Sequence, residues 1–268
     1  MRRSTVRSRL LADPRIPVLF DLPATLSIEV LLGVGAVVGF AYTVVGLTGF
    51  GASMVAMPML VQLLPLRLAL PMMLVYDLVG GVAIGVRNRR SVDRGELLRL
   101  LPFMLLGVVL GVTVLVNAPE RALLLVLGAF VLAFAGWSLL FRPPRSPIAP
   151  GWSVPLGTVG GVFSALFGTG GPIYTIYLAR RIQDKSRLRA TISLLLFLSA
   201  LARLASFVAA GLFAPPGLPM LIATMLPCAL AGMYLGTHLH HRLPAQRVVQ
   251  AVWAILIVGG ATLVVRSL

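Results

Sequence analysis

Gly168-Thr-Gly-Gly-Pro172 interrupts an apolar stretch of this chain, and Gly49-Phe-Gly-Ala-Ser53 interrupts another 119 residues earlier. Three glycines in four positions followed by a proline resist a continuous helix. Working outward from these breaks, apolar helical segments are expected at 27–45, 53–64, 67–86, 97–116, 121–141, 152–167, 172–179, 188–213, 219–237 and 247–265. A bilayer core about 30 Å thick takes about 20 apolar residues to cross. Segments 53–64 and 172–179 are too short for that. Each directly follows a glycine cluster, the first being Gly46-Leu-Thr-Gly-Phe-Gly51. The expected fold is an all-α integral membrane protein with helices broken at the Gly-rich motifs.

Composition supports the membrane reading independently. Of the 268 residues, 58% are hydrophobic and 12% charged, and mean hydropathy is +0.97. A soluble domain is about 45–50% apolar and about 25% charged, so this chain has too little polar surface to cover a globule. The formal charge of +15 does not point to nucleic acid. The basic residues fall in short segments between apolar runs, as in Arg87-Asn-Arg-Arg90 and Arg180-Arg181. That is how loops retained in the cytoplasm beside anionic lipid are marked. Met1 to Arg15 carries five arginines and one acid. The apolar run after it outlasts a signal peptide, so residues 1–26 are expected to be a cytoplasmic tail. Cys228 is the only cysteine, which leaves it as a small packing residue.

The chain reads as two duplicated halves of about four helices each. Pro102 to Gly111 and Pro227 to Gly236 share the pattern P-x4-G-x3-G, 125 residues apart. Arg67-Leu matches Arg187-Leu, and Pro119 matches Pro244. The proline-rich stretch 142–151 divides a first repeat, 27–141, from a second, 152–268. Basic residues occupy alternate loops. Arg87, Arg89, Arg90 and Arg94 fall where the second half has the uncharged loop 214–217. Arg180, Arg181, Lys185, Arg187 and Arg189 fall where the first half has only Arg67. Opposite orientations of the halves, an inverted repeat, would produce this alternation. Four crossings per half would not, unless 152–179 dips in and returns to the same side, which buried backbone allows.

Paired interrupted segments at matching positions point to a transporter site. A broken helix exposes backbone N–H groups that, with the helix dipole, attract an anion. Candidate substrate-binding residues are therefore Thr48, Gly49, Gly51, Ser53, Thr169, Gly170, Gly171 and Pro172, with Pro172 suited to the first turn of the resuming helix. Plain helix packing competes with this reading, and it accounts well for Gly107, Gly111, Gly232 and Gly236. Arg203 joins the candidates because it lies mid-way in the apolar run 191–213, where a charge needs protein or water around it. Its planar fork suits an oxyanion. A structural ion pair with Asp77, the lone acid of 67–86, is the competing role. Asp77 in turn reads as a coupling carboxylate or as that counter-ion. His238, His240 and His241 beside Arg242 read as a solvated loop, with a metal site as the alternative. Tyr174 and Tyr177 suit a pathway or packing equally. No metal or cofactor motif is present, and Gly168-Thr-Gly-Gly-Pro lacks the G-K-[ST] ending of a phosphate loop.

Gly49-Phe-Gly-Ala-Ser-Met-Val-Ala-Met-Pro58, Gly161-Val-Phe-Ser-Ala-Leu-Phe-Gly-Thr-Gly-Gly-Pro172 and Arg187-Leu-Arg-Ala-Thr191 resemble elements of the sulfite exporter TauE/SafE-like membrane proteins. The resemblance runs from about residue 27 to the end. Ala52 and Ser53 depart from it, standing where the family often has glycine. It implies about eight membrane helices and transport of sulfur-containing anions such as sulfite, sulfonates or sulfoacetate, with proton or ion coupling in some members.

The expected function is a secondary transporter or facilitated exporter of a small anion, with no enzymatic activity. It would sit in the cell membrane as a multi-pass protein, with lipid as its surroundings and no nucleic-acid partner. The alternatives are a membrane-embedded enzyme, which would need the His238–His241 loop, and a non-transporting assembly subunit.

Overall fold

The computed structural model describes residues 27–48, 51–85, 91–140, 146–239 and 245–267. The expected tail 1–26, the linker residues 142–145, and Gly49, Arg87, Arg89, Arg90, His240, His241, Arg242 and Pro244 lie outside them. The described residues form helices and no strands: α1 (Ile28–Thr48), α2 (Ala52–Leu60), α3 (Leu66–Gly85), α4 (Arg94–Asn117), α5 (Glu120–Leu140), α6 (Ser153–Phe167), α7 (Gly170–Arg181), α8 (Lys185–Ala209), α9 (Leu218–Leu239) and α10 (Ala245–Ser267). Each expected segment appears within a few residues. Five of them, α1, α4, α5, α8 and α9, are long and apolar enough to cross a membrane. Aspartates start α4 and α8: the Asp93 and Asp184 carboxylates accept from the backbone N–H groups of Glu96 and Arg187. That satisfies donors a helix start otherwise leaves open.

The breaks fall at the glycine clusters. Gly51 precedes α2 with φ 97°, and Gly168 ends α6 with φ 70°. Both lie in the left-handed region, where a side chain is strained. Beyond Gly168 the chain folds back on itself. A β-carbon on Gly170 would stand 2.6 Å from the Gly160 carbonyl oxygen, and one on Gly160 would meet the Tyr174 ring. At the far end of this hairpin Arg181 Nη1 donates to the Ile148 carbonyl at 3.2 Å. The chain therefore leaves α7 beside the place where it entered α6. In the first half, Leu63, just past α2, lies against Gly33 near the start of α1.

The halves are joined by reciprocal pairs: α1 with α9, α4 with α6, α3 with α8 and α5 with α10. The small-residue pairs do serve packing, as expected. A β-carbon on Gly107 would meet the Thr158 carbonyl, and one on Gly232 the Gly39 carbonyl. One turn on, Gly111 faces the Val162 carbonyl and Gly236 the Thr43 carbonyl. The two contacts repeat position for position at the spacings of 119 and 125 seen in sequence. Such approach of backbones, where lipid is as apolar as any side chain, is how small residues hold membrane helices together. Two of these pairs, α3 with α8 and α5 with α10, run oppositely where they touch. Asp77 meets Arg203 while Gly81 meets Phe197, and Gly128 meets Val264 while Leu132 meets Gly260.

Candidate functional site

The two breaks meet around one cavity of about 100 Å³. Gly51, Ala52 and Ser53 line it from the first break, Gly168, Thr169, Gly171 and Pro172 from the second. Asp77 of α3 and Arg203 of α8 face it, with Tyr42 of α1. Neither half-helix start is closed by a side chain: Gly51 has none, and Thr169 makes no capping bond to α7. The starts of both half-helices, with their positive dipole ends, lie at the cavity.

Arg203 is 4% exposed. Its Nη2 lies 3.2 Å from Asp77 Oδ2, and its Nη1 donates to the Ser164 carbonyl at 3.3 Å. Its Nε has no partner among the described residues. Asp77 takes two further donors, Ser53 Oγ on Oδ2 at 3.1 Å and Tyr42 Oη on Oδ1 at 3.0 Å. The ion pair read from the sequence is thus present, and it sits in the wall of the cavity rather than apart from it. A charge placed here is tolerable only because it is paired and hydrogen-bonded.

Of the sequence candidates, Gly51, Ser53, Thr169, Gly171, Pro172, Asp77 and Arg203 converge on the cavity. Gly170 packs on Gly160 and Ser164 of the hairpin instead. The Thr48 side chain and Gly49 lie outside the described residues. Sequence reading missed Tyr42 and Ser164, whose types give no signal on an apolar helix. It also missed Glu96, which stands just ahead of the expected segment 97–116, where an acid suits any helix start. Glu96 is 6% exposed. Its Oε1 accepts from Arg181 Nη2 at 2.7 Å, Arg181 Nε at 2.9 Å and Arg99 Nη1 at 2.8 Å. Tyr177 donates to Oε2 at 2.7 Å. This knot ties the end of the α6–α7 hairpin to the start of α4. Tyr174 is buried in the same hairpin, beside the Ser164–Ser199 hydroxyl pair. His238 stacks on Tyr234 at 4.0 Å and is exposed. No three His, Cys, Asp or Glu gather as metal ligands among the described residues.

Apolar helices too long for a soluble core, folded around a cavity with an arginine in its wall, define a multi-pass membrane transporter. The chain belongs to the sulfite exporter TauE/SafE family, which it matches over residues 31–263. It is also similar to a protein of Comamonas testosteroni described as a probable inner membrane transporter protein, TsaS. The two are 26% identical over 194 residues, covering 72% of this chain and 81% of that one. No solved structure matches it. Family and relative together identify a transporter of the cell membrane, not an enzyme.

Proposed function

We propose that this transporter moves a small sulfur-containing oxyanion, such as sulfite or a sulfonate, through the cavity between its two broken hairpins. The observation that carries the proposal is Arg203, buried in the cavity wall with an unpartnered Nε and facing two uncapped half-helix starts. A guanidinium and oriented N–H groups are the donors an oxyanion needs. The cavity has room for several waters or one such ion. The sulfur chemistry comes from the family's description and goes no further than that.

The halves act as inverted repeats, 27–141 and 152–268, in this proposal. Opposed directions of α3 and α8, and of α5 and α10, support it. So do the two hairpins, α1–α2 with Leu63 against Gly33 and α6–α7 with Arg181 on Ile148: with neither crossing, long as α1 is, three crossings remain in each half, α3 to α5 and α8 to α10. An odd number turns the second half over, which accounts for the alternation of the basic loops.

Counterflow of labelled sulfite, methanesulfonate and acetate into proteoliposomes tests the function. Sulfite or methanesulfonate should exchange faster than acetate, and Arg203→Ala should remove the exchange. Transport of none of them, or Arg203→Ala transport equal to that of the unaltered protein, sinks the site.

A further inference from the structure

We infer that the Asp77 carboxylate occupies the place of the transported anion, so that the two are alternative ligands of Arg203 and each anion binds together with one proton. The inference rests on the reading of this cavity as an anion site. It follows from what Asp77 holds. An ionised carboxylate is an acceptor only, and this one takes two hydroxyls and a guanidinium arm: Tyr42 at 3.0 Å, Ser53 at 3.1 Å and Arg203 at 3.2 Å. These are the groups an incoming oxyanion would need. While Asp77 is ionised they are taken, and the pair is neutral.

A second negative charge cannot join the carboxylate cheaply in a cavity of about 100 Å³, because like charges sharing a small site disfavour each other's ionised form. A proton from water added to Asp77 removes that conflict. The site gains one positive charge, and the Arg203 Nη2 and the Tyr42 and Ser53 hydroxyls can turn to the anion. The guanidinium need not move, since Nη1 stays on the Ser164 carbonyl.

The other groups around Asp77 do not supply the proton binding. On α1 the neighbour is Tyr42 and on α8 it is Arg203, while α2 offers only the Ser53 hydroxyl. Tyr76 of α3 stands edge-on to Tyr42, and its hydroxyl is committed to the Ile222 carbonyl of α9. Cys228 of α9 lies beside Tyr76, and Tyr174 of α7 lies beyond Arg203. Among the described residues, Asp77 is the one carboxylate lining the cavity.

The sign follows directly. If each anion binds with one proton, affinity is highest at low pH and falls by up to about tenfold per pH unit as pH rises. Methanesulfonate is the probe because it carries no titrating proton near neutrality. Calorimetric titration of the full-length protein in detergent, in buffers of different ionisation enthalpy, should show about one proton taken up per methanesulfonate bound. Sulfite should give the same count after correction for its own titration. In proteoliposomes, Asp77→Asn should lose methanesulfonate accumulation driven by an imposed pH gradient, and in detergent its methanesulfonate binding should take up no proton.

Binding with no proton uptake overturns the inference and leaves the anion site standing. Accumulation by Asp77→Asn under a pH gradient overturns it too. Failure of both anions to bind overturns the site reading and the inference together. The proton count uses unaltered protein, so a misfolded Asp77→Asn would not blunt the test.

Discussion

Gly168 of α6 faces Ser53 of α2 across the two breaks, so closely that a β-carbon on Gly168 would lie 2.6 Å from the serine hydroxyl oxygen and 3.2 Å from Arg203 Nη1. Gly168→Ala therefore does two things. It strains a residue at φ 70°, costing roughly 1–2 kcal/mol, and it pushes Ser53 and the guanidinium off Asp77. Gly51→Ala has the strain, at φ 97°, but among the described residues nothing lies within 4 Å. The expected outcome is that both lower the melting temperature in detergent, while only Gly168→Ala cuts counterflow by tenfold or more, a figure on the order of the 1.4 kcal/mol that separates decades. Equal transport by the two variants would show that the contact does not matter.

The reciprocal helix pairs make a paired prediction. Gly107→Ala and Gly232→Ala should destabilise by similar amounts, about 1–3 kcal/mol each, because each added methyl meets a carbonyl of the opposing helix that cannot move aside. Gly136, also on a membrane helix, has none of the described residues within 4 Å of a built β-carbon, and Gly136→Ala should change little. Thermal unfolding of the three variants side by side is the check.

The Glu96 knot separates a buried partner from an exposed one. Glu96→Ala leaves the Arg181 fork without its carboxylate and should cost about 3 kcal/mol. Arg99 is half exposed, at 49% for its side chain, and Arg99→Ala should cost less than about 1 kcal/mol. If Arg99→Ala proves the more damaging, the knot is not organised around Arg181.

The two tyrosines of α7 should also part company. Tyr177 donates to Glu96 at 2.7 Å, and its loss in Tyr177→Phe should cost about 1–3 kcal/mol, as for hydrogen bonds to charged groups. The Tyr174 hydroxyl is buried beside the Ser164–Ser199 hydroxyl pair, with no charged partner. Tyr174→Phe should cost less than Tyr177→Phe, since it loses at most neutral hydroxyl contacts, worth about 0.5–1.5 kcal/mol. Denaturation of both in the same detergent distinguishes them.

The ends of the helices and the two breaks were legible because glycine, proline and runs of apolar residues state backbone preference locally. Asp77 and Arg203 were legible for a different reason: a lone charge in an apolar run has to be answered somewhere. The hydroxyl groups of Tyr42 and Ser164 carry no such demand, since tyrosine and serine sit in membrane helices for many reasons. Glu96 was hidden by its position, where an acid suits any helix start. The repeat was visible as matched spacings, but the partner each glycine pair would find was not. Nothing in Gly232 or its neighbours names Gly39, because backbone carbonyls are the same everywhere along a chain.

The exchange of partners between halves has a consequence in time. The carbonyl that Gly107 approaches belongs to Thr158, about 50 residues later, but the one that Gly232 approaches belongs to Gly39, about 190 residues earlier. At ribosomal speeds of about 5–20 residues per second, the second hairpin meets α4 within roughly 3–10 s. The first waits roughly 10–40 s for α9. Until then α1 stands in the bilayer with its glycine face open to lipid or to a neighbouring copy. A chain cut after α5 would leave that face permanently unmatched, so α1–α5 and α6–α10 are not separable units of assembly.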